Sequence, residues 1–159
     1  MPKHRNNDPT GRLNRENPMR ALCAKIAMTL GLLAMPPIAW GNEAATEAMN
    51  EYLMFQDYES GIMLPQQIDE EIFNNVLFVD ARDEEQFARE TIPGAVHIEW
   101  REVLDRIDEI PEDKKVVVFC NTGSLSAQAT FALRVAGRDN VVVLQGGIQN
   151  WKETAAFKP

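Results

Sequence analysis

Two valine-rich runs constrain the fold of this chain more than any other feature. Val116-Val117-Val118-Phe119 and Val141-Val142-Val143-Leu144 read as strands, and Ser124 to Ala136 between them reads as a helix. Valine content this continuous fits strands buried on both sides. Val76 to Val79 and Ala95 to Ile98 read as two more strands, with Gly61 to Leu64 a further candidate. Asp83 to Arg89, Arg101 to Ile110 and Gly147 to Thr154 read as helices. Strand, helix and strand in repetition predict an α/β fold, a mainly parallel central sheet with helices on both faces. In such sheets reactive groups gather at the carboxyl ends of the strands.

Cys120 falls at such an end. The chain leaves Val116 to Phe119 as Cys120-Asn121-Thr122-Gly123-Ser124-Leu125-Ser126 and enters the helix. Unpaired backbone N–H groups and the helix dipole favour an anion there, and the thiolate is that anion. An ordinary thiol, with a pKa of about 8.5, is only a few per cent ionised at pH 7. A cysteine ending an apolar strand is also compatible with simple core filling, because free cysteines are among the most buried residue types. The small, polar residues that follow weigh against this, since they build a loop of exposed N–H groups. Nucleophilic sulfur chemistry at Cys120 is the expectation.

Charge divides the chain. Residues 1–41 hold six Lys/Arg and two Asp/Glu, while 42–159 hold ten against twenty-two, a net charge of −12. Nucleic acid is an unsuitable partner for a body so acidic, with no basic patch interleaved with aromatics. The basic part has the layout of an export signal: Arg20 and Lys25 precede the apolar run from Ile26 to Met35, and small residues Ala39 and Gly41 flank Trp40. Cleavage after Gly41 is expected, with Met19 as an alternative start behind a polar lead. The apolar stretch from Ile26 to Trp40 falls short of the roughly 20 residues a membrane-crossing helix needs and contains Pro36-Pro37, so no stable membrane anchor is expected. The expected location is the periplasm, the alternative being an inner-membrane anchor facing it. Cys23 would leave with the signal, and Cys120 would remain unpaired in an oxidising compartment, which suggests use rather than architecture.

Residues 43–56 read as an amphipathic helix with Ala45, Met49, Tyr52 and Leu53 on one face, packed on the domain. The expected organisation is a lead and signal over 1–41, an N-terminal helix and linker over 42–60, and one domain over 61–159.

Four ordered segments of that domain resemble the single-domain rhodaneses, a sulfurtransferase family. Leu77-Phe78-Val79-Asp80-Ala81-Arg82 followed by Asp83-Glu84-Glu85-Gln86-Phe87 is similar to the family's strand, Asp-x-Arg and acidic helix. Ile92-Pro93-Gly94-Ala95-Val96-His97-Ile98 resembles its turn segment, and Leu144-Gln145-Gly146-Gly147-Ile148-Gln149-Asn150-Trp151 its closure. The cysteine loop is the fourth.

The resemblance implies a rhodanese-like fold and two-step covalent catalysis. The Cys120 thiolate would take the outer sulfur of thiosulfate or of a persulfide donor, become a persulfide, and pass that sulfur to a thiophilic acceptor, cyanide or a thiol. It implies a cradle of N–H groups from Asn121, Thr122, Gly123, Ser124, Leu125 and Ser126, with the Ser124 and Ser126 hydroxyls as extra donors. No metal or organic cofactor is implied. Asp80 and Arg82 are expected to pair in a structural role, and Gly146 and Gly147 to turn the last strand into its helix beside the loop. His97 is expected to be structural.

The loop departs from the family in carrying no charge between Cys120 and Ser126, where many members place arginine or lysine to hold an anionic donor. Phosphatases built on a cysteine loop need an arginine six positions after the cysteine; here Ser126 stands there, which argues against phosphoryl chemistry. A rhodanese-like module that binds a partner or senses oxidation without turnover is the alternative reading.

Overall fold

The computed structural model describes residues 39–159 of the chain, and the side chains of 43–159. The expected signal up to residue 38, with Arg20 and Lys25, the alternative start at Met19 and Cys23 lie outside the described residues; residues 39–41, at its expected cleavage site, belong to a helix.

Strand β4 (Val116–Phe119) is the axis of the molecule. It is hydrogen-bonded in parallel to β2 (Leu77–Asp80) on one side and to β5 (Val141–Leu144) on the other, with Asp80 opposite Phe119 and Val118 opposite Val143. Strand β1 (Ile62–Met63) adds to β5, and β3 (Val96–His97) adds to β2, which completes a five-stranded sheet in the order β1-β5-β4-β2-β3. Every pairing is parallel. All the strands therefore end on one edge of the sheet.

Alternation along β4 divides the core into two layers. Val116 and Val118 face one side with Val79, Ala81 and Val141, where they meet Ala129 and Leu133 of α4 (Ser124–Val135). Val117 and Phe119 face the other side with Phe78 and Leu144, against Ile148 and Trp151 of α5 (Gly147–Thr154). Ile72 and Phe73 pack against this second layer from α2 (Glu70–Asn75). All four β4 side chains are fully buried, which accounts for the unbroken valine run.

The structure departs from the expected elements in several places. The strand expected at 76–79 runs Leu77–Asp80, because Val76 caps α2 through its N–H to the Ile72 carbonyl. Helix α2 itself escaped the periodicity reading because six residues hold too few turns to show one. Its local signal is Asp69, whose carboxylate accepts from the Ile72 N–H at 2.8 Å, followed by Glu70 and Glu71. The helix expected over 101–110 is instead a run of turns ending in one 3₁₀ turn, Ile107–Glu109. Val103 and Ile110 are buried in the first core layer, Glu99 takes up the Arg101 N–H, and Pro111 disfavours helical backbone at Ile110, which is extended. Helix α3 (Glu84–Arg89) forms where expected, capped by the Asp83 carboxylate on the Gln86 N–H.

Helix α1 (Ala39–Met54) ends two residues short of the segment expected over 43–56, and of its expected apolar face only Tyr52 packs. Leu53 is 60% exposed and Met49 36%, while Tyr52 alone among residues 43–54 is half-buried. Tyr52 meets Phe131 edge-on and accepts a hydrogen bond from Arg134 Nε at 2.9 Å, and Gln56 Oε1 accepts from Arg134 Nη2 at 2.8 Å. The helix is held at its carboxyl end by one buried guanidinium. Among the described residues no helix is long and apolar enough to cross a membrane.

Candidate active site

Three chain crossings meet at the carboxyl edge of the sheet: Ala81-Arg82 after β2, Cys120-Asn121 after β4 and Gln145-Gly146 after β5. Cys120 itself is 2% exposed. The loop closes over it in three residues because Gly123 adopts φ +101°, a conformation that favours glycine, and α4 starts at once behind it. The Gly123 N–H then donates to Cys120 Sγ at 3.2 Å, and the Ser126 hydroxyl stands 3.5 Å from the same sulfur.

Helix α5 sets the orientation of the loop. Its Ile148 N–H donates to the Cys120 carbonyl at 2.8 Å, and its Gln149 N–H to the Asn121 carbonyl at 3.2 Å. Two of the N–H groups that a helix start leaves without intrahelical partners are satisfied in this way. With those carbonyls held toward α5, the following amides are left for the sulfur. The approach is possible only because residue 147 is glycine, with φ +61°: a Cβ there would stand 2.3 Å from the Cys120 oxygen and 2.6 Å from the Asn121 carbonyl. Gly146 precedes it as the N-cap of α5.

The balance at the thiol follows from these contacts. Burial pushes the Cys120 thiol up, but hydrogen bonds from the Ser126 hydroxyl and from the amides of Ser126, Thr122 and Gly123 outweigh it and hold the thiol below its ordinary value. The α4 dipole acts in the same direction.

Asp80 and Arg82 form the floor beside the loop. The Arg82 guanidinium grips the fully buried Asp80 carboxylate with two bonds, Nε to Oδ1 at 2.9 Å and Nη2 to Oδ2 at 2.6 Å, and the Arg82 N–H adds a third at 3.1 Å. This hydrogen-bonded pairing, with Asp80 as its main cause, raises the Arg82 pKa above its usual value. The same guanidinium donates to the Glu90 carbonyl at 2.6 Å and to Asn121 Oδ1 at 3.3 Å, and Thr91 Oγ1 donates to Asp80 Oδ2 at 2.9 Å. Asn121 in turn donates to Gln86 Oε1 at 2.6 Å, and Gln86 donates to Asp83. A polar chain therefore runs from β2 through Arg82 to the first loop residue and on to α3. Gln86 is the member that sequence reading missed; nothing local marks a glutamine on α3 as the partner of Asn121.

The remaining loop residues divide by direction. The Asn121 side chain is turned to this polar chain, Thr122 Oγ1 lies 3.5 Å from Ser124 Oγ, and Thr122, Ser124 and Leu125 are exposed. Ser126 is fully buried under the sulfur. His97 donates from Nε2 to the Arg82 carbonyl at 2.7 Å and stacks on Phe87. Among the described residues no group of three or more His, Cys, Asp or Glu side chains is arranged to hold a metal ion.

Known proteins are similar to this chain in sequence and fold. The family model for the rhodanese-like domain matches residues 64–154. A sulfurtransferase of Allochromatium vinosum is 38% identical over 77 residues, which cover 48% of this chain and 72% of that protein. The thiosulfate sulfurtransferase GlpE of Pseudomonas syringae pv. syringae is 35% identical over 78 residues, covering 49% of this chain and 74% of its own length. Among solved structures, a rhodanese-related protein from Thermoplasma volcanium matches with a TM-score of 0.53 at 27% identity, over 60% of this chain and 92% of that one.

Proposed function

Because the chain belongs to the rhodanese-like domain family, and two of the relatives it matches are named sulfurtransferases, we propose that it moves a sulfane sulfur from thiosulfate or a persulfide donor to cyanide or a thiol through a persulfide on Cys120. The observation that carries this reading is the Cys120 sulfur itself, seated at a helix start, receiving N–H groups, and held toward its thiolate form.

With thiosulfate as donor, the Cys120 thiolate attacks the outer sulfur, the S–S bond of the donor breaks, and sulfite leaves with the bonding pair. The enzyme then carries Sγ–S⁻. Cyanide attacks the outer sulfur, thiocyanate leaves, and Sγ departs as the thiolate that began the cycle. A thiolate acceptor follows the same course and leaves as a persulfide. The loop amides stabilise the anion at both stages.

The donor is the open choice. Neither lysine nor arginine occurs from Cys120 to Ser126, and Arg82, the guanidinium that reaches the loop at Asn121, is already neutralised by Asp80. A dianion gains little here, so a persulfide donor competes well with thiosulfate.

Intact mass spectrometry of the chain and its Cys120→Ser variant, after each donor and then after cyanide, tests the proposal. A gain of one sulfur atom and its loss with thiocyanate release, in the parent alone, are expected. No gain from either donor would leave a module that binds without turnover.

We also propose export to the periplasm, with cleavage after Gly41. N-terminal sequencing of protein recovered from that compartment should begin at Asn42; recovery of the unprocessed chain from the cytoplasm would contradict it.

A further inference from the structure

The Ser126 hydroxyl has two acceptors and one proton. Its oxygen stands 3.1 Å from the Gly123 carbonyl and 3.5 Å from Cys120 Sγ, and the residue is fully buried, so no water competes for the bond. The Gly123 carbonyl can give up this donor: it also accepts the Ala127 N–H at 2.9 Å, the first helical bond of α4. Departure of the hydroxyl therefore orphans nothing. The sulfur has the opposite requirement. As a thiolate it is a buried anion, and a hydrogen bond to an ionised acceptor is roughly twice as strong as a neutral one.

We propose that Ser126 is a movable donor, turned to Cys120 Sγ while that sulfur is a thiolate and returned to the Gly123 carbonyl once the sulfur is capped. The proposal rests on the sulfur-transfer reading above. In the loaded enzyme, charge lies on the outer sulfur, about 2.05 Å farther along the new S–S bond, and Sγ no longer attracts the proton. On discharge the acceptor attacks the outer sulfur, the S–S bond breaks, and its electron pair returns to Sγ; the hydroxyl turns back and lowers the cost of that departure. Ser126 is thus selective for one half of the cycle. It favours Sγ as a leaving group without stabilising the persulfide. Other loop donors differ in kind. The Gly123 amide is fixed by the backbone, and the Ser124 hydroxyl is exposed beside Thr122.

The test uses Ser126→Ala and Ser126→Thr in the full chain. Alanine is a good helix former and should leave the fold intact. The first readout is the pH dependence of Cys120 alkylation by iodoacetamide without any sulfur donor. The second is single-turnover loading and cyanide discharge. Ser126→Ala should move the alkylation midpoint up by about one pH unit and slow discharge about tenfold. Its loading rate above that midpoint should match the parent's, and Ser126→Thr should restore both quantities. An alanine variant with the parent's midpoint, or one slowed equally in loading and discharge, overturns the proposal. A parent that alkylates readily yet never takes up sulfur instead overturns the sulfur-transfer reading on which it rests.

Discussion

Gly147 lies directly against the Cys120 carbonyl, so close that an added Cβ would stand 2.3 Å from the oxygen. The contact ties the last helix to the cysteine loop, and the Ile148 and Gln149 N–H groups secure it. The shape of the cysteine loop is therefore determined as much by α5 as by the loop's own residues.

Gly147→Ala should separate the two. Overpacking costs about 1–3 kcal/mol, and the left-handed conformation adds about 1–2 kcal/mol for any L side chain. Urea denaturation should show a loss in this range, together with slower alkylation of Cys120 at neutral pH as the loop amides shift. A variant with parental stability would mean that α5 yields easily.

Arg82→Met should cost about 3–5 kcal/mol, because it leaves the buried Asp80 carboxylate without its counter-charge, held only by the residue 82 N–H and the Thr91 hydroxyl. The double variant Asp80→Asn with Arg82→Met should recover much of that loss. Denaturant midpoints of the four proteins check this, and additive losses would argue that the pair is not coupled.

The pH dependence follows from the depressed Cys120 thiol. Its alkylation midpoint should fall below the ordinary thiol value of about 8.5. The sign for stability is that of a group whose pKa is lower in the folded state. Its contribution is present above the unfolded thiol's pKa and is lost as pH falls through the folded value. Urea unfolding of the parent should therefore weaken over that window relative to Cys120→Ser. Parallel curves for the two proteins would contradict the depressed thiol.

At the other end of α4, Tyr52→Phe removes the acceptor of Arg134 Nε, a group only 9% exposed. The expected cost is about 1–3 kcal/mol. Limited proteolysis between α1 and β1 should quicken, since the rest of α1 buries little else. Unchanged cleavage would show that Gln56 and Phe131 hold the helix unaided.

Much of the architecture was legible because each core strand carries its own signal. Valine at 116, 117, 118, 141, 142 and 143 is what a strand buried on two faces requires, and Gly123 and the small polar residues after Cys120 mark a loop rather than core. The failures share a cause. α2 is too short to show a period, and 101–110 has apolar residues at helical spacing that the sheet edge and Pro111 hold in turns. α1 shows an apolar stripe, and only Tyr52 of it finds a partial surface to bury against.

For the site, the sequence alone marked Cys120 as the candidate sulfur and placed a helix start behind it, because both properties are local: an apolar strand, a cysteine, a glycine and a helix follow one another along the chain. Tertiary structure decided how that sulfur is held. Only folding brings the N–H groups of α5 to the Cys120 and Asn121 carbonyls, and Arg82 and Gln86 to the Asn121 side chain. The physical reason is that hydrogen bonds depend on position in space, and residues far apart in the chain carry no mark of the partners to which the parallel sheet brings them.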